Sequence, residues 1–283
     1  MSSLPALISF LTLSALSASP LKVPHLNYCY TEDACNPYNW VKQFSNCITT
    51  ESTLQSPIEL KPVGIKNDSI SSLQLRGFSV PQKSWTVMNL GDTVVVKFQA
   101  GMTVKGGSIN HDYRIVEMRF HWGSNTTNGS EHKFDKRRFP MEITSDENKA
   151  FKAISHAVAN VPYPGDSMKV TPPALSNLLP DNYTFYQYQG GQTTPPCRQT
   201  VTWIVFEKPI FISRQQLLPF ITQVYHSDKN DTVKKQLVNN YRFIQPTLNR
   251  QIFVSSARNA ALSQHALFIP VLFITSKLSL MIP

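Results

Sequence analysis

The sequence predicts a single, mainly β (α+β) domain with short peripheral helices, and three observations carry that expectation. Short runs of alternating or β-branched residues, broken by turn residues, recur at Ser71–Arg76, Ser84–Asn89, Thr93–Gln99 and Thr200–Phe206. Helical spacing is confined to two stretches, Ala150–Asn160 and Ser213–Tyr225. With 41% hydrophobic and 16% charged residues among 283, and no internal repeat, low-complexity tract or Gly/Ser linker, the chain can bury one sizeable core.

Residues 1–19 contain no charged side chain, and the apolar stretch Leu4–Leu16 is followed by the small residues Ser17 and Ala18. That pattern predicts a cleaved secretory signal. The sequons at Asn67, Asn125, Asn128, Asn182 and Asn230 agree with secretion as glycosylation sites. Asn89-Leu90-Gly91-Asp92 and Lys105-Gly106-Gly107 read as turns between strands.

At the centre lies Glu117-Met118-Arg119-Phe120-His121-Trp122-Gly123, which reads as a buried strand running into a turn. A strand's period of two places Arg119 and His121 on one face and Met118, Phe120 and Trp122 on the other. A His-x-His pair there would set two imidazoles side by side, as a zinc site needs. This chain has Arg-x-His. Beyond it, Phe151, Ile154, Val158 and Val161 predict an amphipathic helix that ends before Pro162.

The end of the chain, Ala266–Pro283, is mostly apolar but holds Lys277 and two prolines. Upstream stand the small triplet Ser255-Ser256-Ala257 and the polar spacer Arg258–His265. Triplet, spacer and apolar tail form the pattern of a GPI-attachment signal, with Ser255 as the expected attachment residue. A transmembrane tail and a tail with neither role are the alternatives; a lysine in the bilayer core costs about 2.5–3.5 kcal/mol. The expected boundaries are 1–19 for the signal, 20–254 for the domain and 255–283 for the anchor signal or membrane tail.

The formal charge is +9, and the densest basic run is Lys136-Arg137-Arg138. Without a long basic block interleaved with aromatics, nucleic acid is excluded as a partner. A solvated basic face that favours an anionic membrane surface fits better. Cys29, Cys35, Cys47 and Cys197 suit two bridges, for which three connectivities are open.

Phe120-His121-Trp122-Gly123 followed by Gly129-Ser130-Glu131-His132-Lys133-Phe134-Asp135 resembles the core signature of the α-carbonic anhydrases. Gln55-Ser56-Pro57-Ile58, Thr193-Thr194-Pro195-Pro196-Cys197, Val201-Thr202-Trp203, Asn239-Asn240-Tyr241-Arg242-Phe243 and Gln245-Pro246 match in the same order, so the resemblance spans roughly residues 28–254. It implies a large, twisted, mostly antiparallel sheet. Similarity to the membrane-anchored type IV members implies the pairs Cys29–Cys35 and Cys47–Cys197.

The same resemblance places the three zinc histidines at Arg119, His121 and Thr144, so His121 alone is retained. The proton-shuttle position falls on Asp92, expected in an exposed turn. Thr193 matches the hydroxyl that orients zinc-bound hydroxide, and Glu131 matches its acidic partner. Glu142 matches the carboxylate behind the third ligand, while Trp203 and Thr194 match the pocket wall. His132 is expected to be a hydrogen-bonded core histidine. After Thr144 a typical member has a few dozen more residues, including a buried strand; here Thr144-Ser145-Asp146-Glu147 runs almost directly into the helix at Phe151. Such an omission exposes sheet edges or forces repacking.

The expectation is an extracellular, membrane-tethered, acatalytic relative with a degraded zinc site, as in carbonic-anhydrase-related proteins. It acts as a binding module for an extracellular protein or a small anion near Arg119 and Thr193. No cofactor is expected, and Arg119 replaces the metal as an internal cation paired with Glu142, because unpaired buried charge is costly. The alternatives are a zinc lyase interconverting CO2 and bicarbonate, with a set such as His121, Glu142 and His132, and a truncated isoform without function.

Overall fold

A computed structural model describes residues 27–62, 65–66, 70–126, 128–138, 143–144 and 146–255. The expected signal segment, Asn67, Glu142 and the tail beyond Ser255 lie outside these residues. The first half of the chain supplies β1 (Glu59–Leu60), β2 (Ile65–Lys66), β3 (Ser71–Arg76), β4 (Trp85–Asn89), β5 (Val94–Lys97), β6 (Thr103–Gly107), β7 (Ile109–Arg114) and β8 (Glu117–Arg119). Next come β9 (Lys133–Phe134), β10 (Arg137–Arg138), β11 (Ile143–Thr144), helix α1 (Lys152–Val158) and β12 (Ser167–Val170). Finally β13 (Phe185–Gly190), β14 (Val201–Phe206), β15 (Ile212–Ser213), helix α2 (Arg214–Gln223) and β16 (Phe253–Val254) complete the mainly β domain.

Two four-stranded sheets dominate. One has the antiparallel order β12-β4-β5-β8; the other runs β14-β13-β16-β2, with β16 and β2 parallel. Smaller sheets β3-β6-β7, β1-β9-β10 and β11-β15 surround them. The apolar face of the first sheet, with Val87, Val96 and Met118, continues into Phe120 and Trp122 and meets Phe151, Ile154 and Val158 of the α1 region and Leu217 and Phe220 of α2. Burying each such side chain contributes roughly 1.5–3 kcal/mol. Ile58, Leu60, Tyr186, Tyr188, Trp203 and Val205 form a second core on β13 and β14.

The short connection after β11 docks through a reciprocal amide contact. Asn148 N–H donates to Gln216 Oε1 at 2.9 Å, and Gln216 Nε2 returns a bond to the Asn148 carbonyl at 2.8 Å. Gln216 also completes the capping box of α2 with Ser213. The Asn148 side chain in turn accepts from the Phe151 N–H at the start of α1. One residue pair therefore ties both helices to the shortened segment.

Both disulfides have the pairing implied by the resemblance, Cys29–Cys35 and Cys47–Cys197. Around the second, Tyr30 and Trp40 pack with Tyr28 and Phe44. Arg242, 1% exposed, donates to Gln55 Oε1 and to the carbonyls of Ser56 and Cys47. These contacts fasten the N-terminal segment to the body of the domain.

Candidate functional site

The alternation expected at the central strand holds. Met118, Phe120 and Trp122 enter the helix-packed core, while Arg119 and His121 meet polar groups. Arg119 Nε lies 2.6 Å from Glu117 Oε1, its neighbour two residues back on the same face, and Nη1 lies 3.8 Å from Asp92 Oδ2. Burial disfavours the guanidinium charge, but Asp92 and Glu117 more than offset that cost, so its pKa is raised. The expected partner, Glu142, lies outside the described residues.

Asp92 is not in an exposed turn. It is 3% exposed, and its carboxylate accepts from Tyr28 Oη at 2.5 Å. The turn folds beneath an aromatic residue 64 positions earlier, a contact that no local pattern announces. Burial, followed by the Asp92 charge, pushes the Tyr28 hydroxyl well above its usual pKa, so it stays protonated as a donor.

His121 is deeply buried. Its Nδ1 is 2.6 Å from the Asn240 carbonyl, and because a carbonyl only accepts, Nδ1 carries the proton. Nε2 lies 3.4 Å from Glu131 Oε2, an ion pair only when the ring is protonated. The same Oε2 accepts from Thr193 Oγ1 at 2.7 Å. Thr193 and Glu131 are each 0% exposed, so the expected hydroxyl–carboxylate pair is present and sealed.

Asn240 organises the cluster. Its Nδ2 donates to the carbonyls of Asp92 and Phe120, and its Oδ1 accepts from the Trp122 N–H at 2.8 Å. It thus clamps the Asp92 turn to the central strand. Sequence reasoning matched Asn240 within a motif and gave it no role; Glu117 was legible by parity, and Tyr28 had no signal.

His132 is the core histidine expected. The Tyr188 hydroxyl donates to Ser56 Oγ at 3.0 Å, so its oxygen accepts from His132 Nε2–H at 2.6 Å. Burial pulls the His132 pKa from 6.5 down to about 4, leaving a neutral ring. Trp203 closes the far side, donating from Nε1 to the Gly191 carbonyl at 3.0 Å. Thr194 is buried beside Thr193.

Among the described residues, no group of three or more His, Cys, Asp or Glu side chains is placed to hold a metal ion. Of the three residues that the resemblance assigns to zinc, Arg119 and Thr144 do not fit it. Arg119 brings a permanent cation already bound to carboxylates, and Thr144 offers a hydroxyl where an imidazole is needed.

Asn125, Asn128, Asn182 and Asn230 are exposed, as glycosylation requires. Ser255 is 7% exposed, with its N–H donating to the Phe185 carbonyl and its Oγ accepting from the Phe185 N–H. No described helix is long and apolar enough to cross a membrane.

Comparison with known proteins agrees with this architecture. The model of eukaryotic-type carbonic anhydrases matches residues 35–145 and 143–256, two segments that meet where the chain is shortened. The chain is 30% identical to mouse carbonic anhydrase 4 over 240 residues, covering 74% of this chain and 77% of that protein. Human carbonic anhydrase 12 is 27% identical over 252 residues, covering 77% and 70%. Human receptor-type tyrosine-protein phosphatase zeta is 29% identical over 271 residues, which cover 82% of this chain and 12% of the receptor.

Proposed function

The chain belongs to the eukaryotic-type carbonic anhydrase family, and on that premise we propose that it is an extracellular, membrane-tethered, acatalytic member serving as a binding module. The observation that carries this reading is Arg119. Zinc hydration chemistry needs neutral imidazoles around an open metal position, where bound water ionises near pH 7. Here the first ligand position holds a guanidinium engaged by Glu117 and Asp92, a permanent cation where zinc needs a neutral imidazole.

Two further observations support it. Asp92, at the shuttle position, is buried beneath Tyr28, so it has no open path for carrying protons to solvent. The pairing of Arg119 with two carboxylates leaves little positive potential for a small anion, which directs the search for a ligand to the exterior. The two disulfides suit an oxidising, extracellular setting.

A second reading, a zinc lyase with a remodelled site, draws on the retained Thr193–Glu131 bond. Elemental metal analysis of the secreted full-length protein, paired with a CO2-hydration assay, separates the two. The expected result is folded protein without stoichiometric zinc and without turnover. One equivalent of zinc with turnover would overturn the acatalytic reading.

A further inference from the structure

The terminal strand β14 has an edge with an unusual character. Glu207 N–H donates to the Thr184 carbonyl at 2.8 Å, and the register pairs Val205 with Tyr186, Trp203 with Tyr188 and Val201 with Gly190. Residues of an antiparallel ladder alternate between exchanging both backbone bonds and pointing both groups away. Val201, Trp203 and Val205 therefore bond to β13, whereas the N–H and C=O groups of Thr202, Ile204 and Phe206 face outward. Among the described residues, no strand lies on that side.

Sheet edges are normally guarded by charged side chains or proline. The other terminal strands of three residues or more follow that rule: Arg76 on β3, Asp112 and Arg114 on β7, Glu117 and Arg119 on β8, and Lys169 on β12. β14 reads Val-Thr-Trp-Ile-Val-Phe, with no charge and no proline, and Ile204 and Phe206 are half-buried.

We propose that this edge pairs with the same edge of a second copy of the chain, antiparallel about a two-fold axis at Ile204. Of the symmetric registers, this one uses all three outward residues, setting Thr202 opposite Phe206 of the other copy and Ile204 opposite its equivalent. The flanking charges then avoid one another, since Glu207 falls opposite Val201 and Lys208 opposite Thr200 of the other copy. The pairing joins two four-stranded sheets into one of eight strands. It pairs both edges in one step, and a two-fold contact closes without forming fibres. An unrelated extended peptide would satisfy the same backbone groups but gains nothing from this charge spacing.

The test is light scattering coupled to size exclusion on the secreted full-length chain across a concentration range, with circular dichroism as a fold control. The expected result is a dimer that Ile204→Lys converts to monomer. Directly opposed bonded residues have Cα atoms about 5.5 Å apart, inside the disulfide range of roughly 4.4–6.8 Å. Ile204→Cys is therefore expected to form a covalent dimer under mild oxidation, and Phe206→Cys is not. Should the lysine variant misfold, the cysteine pair decides. A monomer at every concentration, a dimer unaffected by Ile204→Lys, or a dimer in which residue 204 does not cross-link would each overturn the proposal, including where the monomer instead binds an unrelated peptide.

Discussion

Arg119 carries a charge it cannot shed near neutral pH, so its surroundings must accept a permanent cation. Glu117 and Asp92 do so, one by direct contact and the other at 3.8 Å. Replacing the cation in Arg119→Gln leaves Glu117 and Asp92 without their shared partner, at an expected cost of about 1–3 kcal/mol. Urea denaturation at pH 7 would show the loss as a lower midpoint for the variant than for the parent. Restoring imidazoles in the paired variant Arg119→His, Thr144→His should raise bound zinc from sub-stoichiometric levels toward one equivalent, read by elemental analysis. His132 carries a pH dependence of its own. Its folded pKa of about 4 lies below the ordinary 6.5, so its contribution is full above pH 6.5 and is lost as pH falls toward 4. That difference corresponds to roughly 3 kcal/mol, and the stability profile of His132→Gln should be flatter across the window. Parity on one strand made the facing of Arg119 and His121 legible. The burial of Asp92 was not, because it depends on Tyr28 and Asn240, which are brought in from opposite ends of the chain.

Among the elements, the N-terminal segment does most to close the site. It has little regular structure of its own and is held by Cys47–Cys197, by the Trp40 aromatic cluster and by the three donated bonds of Arg242. The bridge joins residues 150 positions apart, and cross-links of this kind contribute roughly 2–4 kcal/mol. Cys47→Ser with Cys197→Ser should lose that much in urea denaturation. It should also speed amide exchange around Asp92, since loosening the segment withdraws Tyr28 from the turn. The locations of the main strands and both helices were legible because alternation and helical spacing are local signals; the regular ends differ by a residue or two, as at Val94–Lys97 within the expected Thr93–Gln99. The bridge pairing was legible through family resemblance and not through cysteine counting. Neither route indicated Asn148, whose exchange with Gln216 joins the shortened connection to α2.

For the molecule as a whole, the family was legible because many separated motifs keep their order, and the shortened region because the distance from Thr144 to the Phe151 helix is visible in the chain. How the sheet responds was not. The strands settle into two four-stranded sheets ending at β8 and β14, since closing a gap of this kind depends on packing across the domain rather than on any one segment. The far end of the domain bears on the membrane question. Ser255 is sealed against Phe185, so a lipid joined at or just after it would leave the body of the domain with almost no spacer. Without Arg258 and Lys277 the formal charge falls from +9 to +7, still basic enough to be drawn to anionic headgroups. A GPI-linked protein should therefore appear on the surface of cells expressing the full chain and be released by phosphatidylinositol-specific phospholipase C. Resistance to the enzyme at the surface would identify a spanning tail, while accumulation in untreated medium would remove the membrane from the proposed function and leave the binding role to a freely secreted protein.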